Sequence, residues 1–306
     1  MFGSYFTNRP DFEWQILEFF NNIANSFFNL LFMLISEFGA GEIVFGIVVF
    51  IYYLYDKNLA KKIMIVLSTS LVFNGILKSL FMAKRPFQFE DKGYLKKFQN
   101  SSDGATGSSF PSGHSQNAGA FFTSIFLNFQ KKWIKVLALC MAILVPISRL
   151  YLGVHFPGDV VVGLILGIII AIIMNLVYPK LENKIVYLGY SIGMIILCIP
   201  FIIINWNNAL VADFFKSTGL FISVVLSFYL EKKYINFSTK TSLKEAIIRL
   251  VVVLVVVFGI KIGIKAILPN HNICHLIRYF LMGFSALGII PFFFTKEGVK
   301  DAQSYW

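Results

Sequence analysis

The most constraining feature of this sequence is a succession of apolar runs, each about as long as a helix that crosses a lipid bilayer. The hydrocarbon layer is about 30 Å thick and an α-helix rises about 1.5 Å per residue, so one span takes roughly 17 to 25 residues. About eight or nine runs of suitable length are present. After a first stretch, Asp11–Phe38, they lie at Ile43–Tyr55, Ile63–Met82, Ser115–Leu127, Ile134–Pro146, Val160–Val177, Ile185–Ile204, Leu220–Leu230, Ala246–Leu268 and Leu276–Phe294.

Composition excludes a water-soluble globule of this size. Apolar residues make up 57% of the 306 positions and charged residues only 14%, and the mean hydropathy is +0.72. Too little polar surface remains to cover a soluble domain. The net charge of +11 does not by itself indicate nucleic-acid binding, because membrane proteins need basic residues for orientation. Three cysteines without CxxC spacing predict neither a disulfide framework nor a paired metal site.

The chain is therefore expected to be an all-α, polytopic transmembrane bundle, in three parts. Residues 1–42 mix aromatic and acidic side chains and are expected to form an amphipathic, interfacial segment. Residues 43–178 are expected to be a transmembrane core, for which the motifs below indicate catalysis, and residues 179–306 further transmembrane helices without an assigned role. No cleavable signal peptide is expected, since no basic flank leads into a compact apolar run.

The distribution of basic residues gives an orientation. Cutting the chain at the predicted spans puts fifteen of the 27 Lys and Arg residues on one side of the membrane. The positive-inside rule then makes that side cytoplasmic. The long polar connection Lys84–Pro111 faces outward on this assignment, and so do the three motifs described next.

The first motif is Lys78 followed by Arg85 and Pro86. A spacing of seven residues is nearly two helical turns, so both cations are expected on one helix face, with the proline stopping the helix. Cations that merely extend to the interface at the end of a span are the alternative.

The second motif, Pro111-Ser112-Gly113-His114, directly precedes an apolar run. A proline, a hydroxyl and a glycine at a helix start leave backbone N–H groups pointing off the terminus, which suits an anion such as phosphate. An ordinary capping turn with an interfacial histidine is the alternative.

The third motif is Ser148-Arg149, then His155 and Asp159, with Pro157 able to open the next helix. Four residues make about one turn, so Asp159 is expected to accept from one ring nitrogen of His155 and leave the other as a nucleophile or base. The alternative is an acid that only complements the helix dipole. Together, two histidines, three cations and a helix terminus at one membrane face predict an anion pocket with a nucleophile and an acid.

These motifs resemble the three-part signature of the type 2 phosphatidic acid phosphatase (PAP2) superfamily. All eleven specified positions match the pattern. They are Lys78-x6-Arg85-Pro86, Pro111-Ser112-Gly113-His114 and Ser148-Arg149-x5-His155-x3-Asp159. The resemblance implies a six-helix core with the further spans added after it.

The resemblance also implies a role for each site residue. His155 would attack phosphorus and form a phosphohistidine, Asp159 would orient it, and His114 would protonate the leaving oxygen. The phosphoryl oxygens would be held by five residues: Lys78, Arg85, Ser112, Gly113 and Arg149. Three fixed cations can supply the neutralisation that a metal gives elsewhere, so no metal and no cofactor are expected.

The expected substrate is a lipid phosphate or diphosphate such as undecaprenyl diphosphate or phosphatidate, and the expected location is the cytoplasmic membrane, with the site extracytoplasmic. The bilayer and its lipids are the expected partners, nucleic acid is not, and a homo-oligomer stays open. Alternatives are a lipid-to-acceptor phosphotransferase and a sugar phosphatase like glucose-6-phosphatase. A non-catalytic lipid-binding or transport protein is disfavoured because no catalytic position is missing. Metal binding by His271, Cys274 and His275 is also disfavoured against a solvated loop.

Overall fold

The structure, a computed structural model, describes residues 9–89 and 107–294, and within these ranges all of the regular secondary structure is helical. The predicted all-α class is confirmed. The helices of eight residues or more are α1 Asp11–Asn22, α2 Ser26–Glu37, α3 Gly41–Leu54, α4 Lys57–Phe81, α5 Gly113–Asn128, α6 Lys132–Tyr151, α7 Pro157–Val177, α8 Lys184–Ile204, α9 Ala212–Leu230, α10 Leu243–Ile267 and α11 Asn272–Phe284. Residues 90–106, most of the predicted outward loop, lie outside the described part of the chain.

The described helices include seven that are long and apolar enough to cross a membrane, or eight if the bent pair α2–α3 forms one span. The predicted span Ser115–Leu127 is not among them. It lies in α5, which has only 16 residues, and these include the buried polar side chains of Gln116 and Asn117. A helix whose faces are largely covered by protein does not need the length or the apolarity of a lipid-exposed span.

The first motif corrects one expectation. Helix α4 ends at Phe81, and Met82 has a left-handed φ of 43°. Arg85 therefore lies in an extended segment ahead of a short 3₁₀ turn, Pro86–Gln88, and does not share a helix face with Lys78. Pro86 favours an extended conformation at Arg85, but it does not determine how many residues earlier α4 ends.

By contacts among its residues the chain divides into two compact units. Unit 1 comprises Met1–Val44 and Phe73–Ile173, and unit 2 comprises Phe45–Val72 and Met174–Trp306. Helices α3, α4 and α7 each begin in one unit and end in the other. The predicted division at residues 42 and 178 stays a prediction. All eight candidate site residues belong to unit 1.

Unit 1 depends on a close approach between α5 and α7. A Cβ added at Gly163 would lie 2.6 Å from the carbonyl oxygen of Ser112, and one at Gly167 would collide with the carbonyl oxygen of Gln116. Glycine at these two positions lets the helix backbones touch, as in small-residue interfaces between membrane helices. The contact places the start of α5 directly beside the start of α7.

Unit 2 is held by polar contacts between its own helices. The hydroxyls of Tyr52 and Tyr53 donate to the carbonyls of Leu287 and Ala286, which lie in a π-helical turn. Buried Glu231 pairs with Lys57 at 2.9 Å, and also with Lys61. These contacts satisfy groups that would be costly to leave unpaired in a bilayer.

Candidate active site

His155 lies in the short turn between α6 and α7, and its side chain is buried. Helix α6 ends at Tyr151, and Gly153, with a φ of 64°, lets the chain turn directly after the helix end. A left-handed residue after a helix end costs little when it is glycine. The turn directs the imidazole into a cluster of polar side chains.

Both ring nitrogens of His155 have partners. Nη1 of Arg85 lies 3.2 Å from Nε2, and Oγ of Ser109 lies 3.3 Å from Nδ1. Because a guanidinium only donates, Nε2 is the acceptor and the neutral ring carries its proton on Nδ1. The nitrogen that faces the cation therefore holds the lone pair.

Asp159 contacts His155 through the hydroxyl of Ser109. The direct hydrogen bond predicted from the spacing of the third motif is wrong. Oδ2 of Asp159 is 3.7 Å from Nδ1 of His155, beyond hydrogen-bonding distance. The Ser109 hydroxyl donates to the same Oδ2 at 2.5 Å. The difference arises because α7 begins at Pro157, so His155 precedes its first turn. The result is a relay from Nδ1–H through Ser109 to the carboxylate.

The second motif forms the start of α5. The Ser112 hydroxyl is the N-cap and accepts from the backbone N–H and the hydroxyl of Ser115, at 3.4 and 3.0 Å. The Ser112 N–H donates to the carbonyl of Asp159 at 3.0 Å, which ties the second motif to the third. The backbone N–H groups of Gly113 and His114 lie in the first turn, where helices have no internal acceptor for them. This terminus has the geometry that suits an anion.

Three cations surround the two histidines. A Cβ at Gly113 would lie 3.8 Å from Nζ of Lys78, so Lys78 stands beside the start of α5. Arg85 also donates to the carbonyls of Val154 and Gly107, each at 3.1 Å. His114 lies within electrostatic reach of Arg149, His155 and Lys78. The structure thus brings the eight predicted residues together.

The surroundings keep His155 neutral. Its burial, followed by the charges of Arg85, Arg149 and Lys78, lowers the pKa of the imidazole well below its ordinary value of 6.5. Burial and nearby positive charge both disfavour a second proton on the ring. At neutral pH the ring therefore keeps the lone pair that a nucleophile needs.

Comparison with known proteins identifies the family. Residues 59–183 match the model of the PAP2 superfamily, and residues 215–303 match that of the PAP2 superfamily phosphatase transmembrane extension. Phosphatidylglycerophosphatase B of Bacillus subtilis is 33% identical over 149 residues, which cover 44% of this chain and 68% of that protein. The chain belongs to the PAP2 superfamily.

Other relatives within the PAP2 superfamily carry different names. Undecaprenyl-diphosphatase of Sulfolobus acidocaldarius is 31% identical over 150 residues, covering 48% of this chain and 68% of that protein. Lipid A 1-phosphatase of Rhizobium etli is 36% identical over 118 residues, covering 37% of this chain. The match spans only 50% of the length of that protein. Like these relatives, the chain is a multi-span membrane protein.

Three residues that meet this PAP2 site were not predicted from the sequence. Ser109 lies in a serine cluster just ahead of the second motif, and Arg9 and Glu13 lie in the predicted interfacial segment. Arg9 Nη2 donates to Asp159 Oδ1 at 2.8 Å, and Glu13 Oε1 accepts from the Gly158 N–H at 2.8 Å. The i, i+4 spacing of Arg9 and Glu13 indicates that the two side chains can pair with each other. It does not indicate their contacts with Asp159 and Gly158, which lie about 150 residues later in the sequence.

Metal ligation finds no support among the described residues, which contain no group of three or more His, Cys, Asp or Glu side chains placed to hold an ion. His271 Nε2 faces Oδ1 of Asn207 at 3.0 Å, and His275 Nδ1 accepts from Arg278 at 2.6 Å. Both nitrogens are therefore in hydrogen bonds with other side chains.

Proposed function

We propose that this protein hydrolyses a lipid phosphate or diphosphate without a metal, through a phosphohistidine formed on His155. The observation that carries the proposal is the contact of Arg85 with Nε2, which assigns the lone pair to the nitrogen facing the cations. A buried neutral imidazole with its lone pair directed at an anion pocket is suited to attack phosphorus.

The reaction has two balanced steps. In the first, Nε2 of His155 forms a bond to phosphorus while the bond from phosphorus to the leaving oxygen breaks, and His114 supplies a proton to that oxygen. In the second, water attacks phosphorus while His114 takes up the proton that the water loses, the N–P bond breaks, and inorganic phosphate leaves with His114 and His155 restored. Asp159, acting through Ser109, holds the Nδ1 proton and balances the positive charge of the phosphorylated ring.

The phosphoryl oxygens would be held by Lys78, Arg85 and Arg149, with the Ser112 hydroxyl and the Gly113 N–H. In both of its hydrogen bonds with Ser115 the Ser112 hydroxyl accepts, so its own proton can be donated to an anion. Nε of Arg149 is buried and has no hydrogen-bond acceptor within the described residues. A phosphoryl oxygen would satisfy such a donor, whose desolvation is otherwise uncompensated.

The substrate class follows from what the relatives share. They are named for lipid A, for phosphatidylglycerophosphate and for undecaprenyl diphosphate, each a lipid that carries a phosphate group. A site at the ends of membrane helices can receive such a headgroup while the tails stay in the bilayer. The Lys and Arg distribution supports a site on the extracytoplasmic face of the cytoplasmic membrane.

The test is phosphate release by the purified protein in detergent, from a panel of lipid mono- and diphosphates, with and without excess EDTA. We expect turnover of at least one lipid, unchanged by EDTA, and a loss of at least about 10³-fold for His155→Ala. His271→Ala is the matched control, since it removes a histidine of unit 2. Full phosphate release by His155→Ala, or abolition by EDTA, would contradict the proposal.

A further inference from the structure

A salt bridge links the start of the described chain to Asp159, the carboxylate that orients His155 in the proposed mechanism. Arg9 Nη2 lies 2.8 Å from Asp159 Oδ1, although 150 residues separate the two in sequence. Both side chains have 0% of their surface exposed. Such a pair is fully desolvated, so removal of either partner would leave the other side chain buried without its ion-pair partner.

Glu13 fixes Arg9 in place. Its Oε2 lies 3.4 Å from Arg9 Nη1, and its Oε1 accepts from the N–H of Gly158 in the first turn of α7 at 2.8 Å. The guanidinium also lies over the ring of Phe156, 4.3 Å from the centroid. Arg9 is thus in contact with three residues: Asp159, Glu13 and Phe156.

The two oxygens of Asp159 are used for different partners. Oδ2 accepts from the Ser109 hydroxyl at 2.5 Å and from the Phe156 N–H at 3.1 Å. Oδ1 accepts from Arg9 at 2.8 Å. With both oxygens anchored, the carboxylate keeps one orientation, and Oδ2 stays directed at the serine that contacts His155.

We infer that Arg9, held by Glu13, is a positioning residue for Asp159 in the phosphoryl transfer. The inference rests on the proposed function. Arg9 acts through the carboxylate, because its Nη2 is paired with Asp159 and its Nη1 with Glu13. Its loss should therefore lower kcat and leave KM nearly unchanged.

The test is a double-mutant cycle on phosphate release, with Arg9→Met, Asp159→Asn and the two combined. A hydrogen bond to a charged group corresponds to about 10- to 100-fold in rate, so Arg9→Met should lower kcat by about that factor and change KM by less than about 2-fold. If Arg9 works through Asp159, the combined variant should be no slower than Asp159→Asn alone. Arg9→Lys should recover part of kcat, because it restores the charge without the planar fork.

A matched control separates positioning from the loss of a buried arginine as such. Arg249→Met removes a buried arginine of unit 2 that pairs with Glu245 at 2.7 Å. This variant should have a lower unfolding temperature than the wild type but the same kcat. Arg9→Lys and Glu13→Gln, which keep more of the packing, carry the test if Arg9→Met fails to fold. Glu13→Gln should lower kcat less than Arg9→Met, because the amide oxygen can still accept from Gly158.

Two outcomes would overturn the inference while leaving the proposed function intact. One is an Arg9→Met enzyme with wild-type kcat. The other is a combined variant whose loss is the product of the two single losses, which would mean that Arg9 and Asp159 act independently. A wild-type protein that releases no phosphate from any lipid, and so matches His155→Ala, would instead refute the proposed function and this assignment with it.

Discussion

Nη1 of Arg85 lies 3.2 Å from Nε2 of His155, so a group that only donates hydrogen bonds faces one nitrogen of the imidazole. The same guanidinium is anchored by the carbonyls of Val154 and Gly107. Arg85 is therefore oriented before any anion arrives. It can stabilise negative charge on phosphorus without the cost of being ordered during the reaction.

Replacing Arg85 by lysine should show that this geometry matters beyond the charge. A lysine keeps the positive charge, but it lacks the planar guanidinium that lets Arg85 donate to the carbonyls of Val154 and Gly107 and to an anion at the same time. We expect Arg85→Lys to lower kcat/KM by about 10²-fold in phosphate-release assays. Lys184→Arg, a charge-conserving exchange in unit 2, is the control and should leave kcat/KM unchanged. An Arg85→Lys enzyme with wild-type kcat/KM would show that only the charge is needed.

The pH dependence of the reaction should reflect the lowered pKa of His155. Because burial and three cations hold this pKa well below 6.5, the imidazole stays neutral at pH 7 and takes up a proton only in more acidic solution. The acid limb of kcat/KM should therefore lie below pH 6.5. Arg85→Met should move that limb to higher pH, since one opposing charge is gone. A wild-type limb above pH 6.5 would contradict this assignment.

Ser109 should matter for catalysis because it joins His155 to Asp159. Ser109→Ala removes the hydroxyl that contacts both groups, and loss of one hydrogen bond to a charged group predicts a kcat lower by about 10- to 100-fold. The control is Ser124→Ala, which removes a buried hydroxyl that donates to the carbonyl of Ala120 in α5. Steady-state kinetics of both variants should show a kcat loss for Ser109→Ala alone, and equal losses would indicate a general packing effect.

The contact between α5 and α7 should be sensitive to a single methyl group. A Cβ at Gly167 would collide with the carbonyl oxygen of Gln116, so Gly167→Ala must push the two helices apart and should cost about 1–3 kcal/mol in stability. The shift should also lower kcat, because Ser112 moves relative to Asp159.

Gly193→Ala is the matched control for this substitution. A Cβ at Gly193 meets no atom within 4 Å, and alanine is the better helix former, so this variant should unfold at the same temperature as wild type or slightly above it. Thermal unfolding in detergent, followed by kinetics, measures both effects. A Gly167→Ala protein as stable and as active as Gly193→Ala would rule out the tight contact.

The parts of the fold that could be predicted from the sequence are those set by local patterns. Apolar runs are longer than soluble helices need, so the helical membrane class follows from length and hydropathy. The predicted run Ile63–Met82 ends within one residue of α4, but the extension of that helix to Arg85 was wrong, because Met82 is not a residue type that signals a left-handed helix end. Helix α5, which contains the predicted span Ser115–Leu127, is shorter than a lipid-exposed span, and most of the residues in its first three turns are buried by protein.

Some residues of the candidate site could be predicted from local sequence patterns and others could not. His155, His114 and the three motif cations carry their chemistry in their residue types, and their spacing indicated them. Arg9 and Glu13 did not stand out, because a basic and an acidic residue near the start of an amphipathic helix fit an interfacial segment equally well. Only the tertiary approach of that segment to Asp159 reveals their contact.

The most direct test of the central claim is to look for the phosphorylated histidine itself. The enzyme is mixed with a lipid labelled at its phosphate, quenched within one turnover at alkaline pH, where phosphohistidine survives, and digested for peptide mapping. We predict label on the peptide that contains His155, and no label on that peptide in His155→Ala. Turnover by wild type with no covalent label, or with label on another residue, would contradict it.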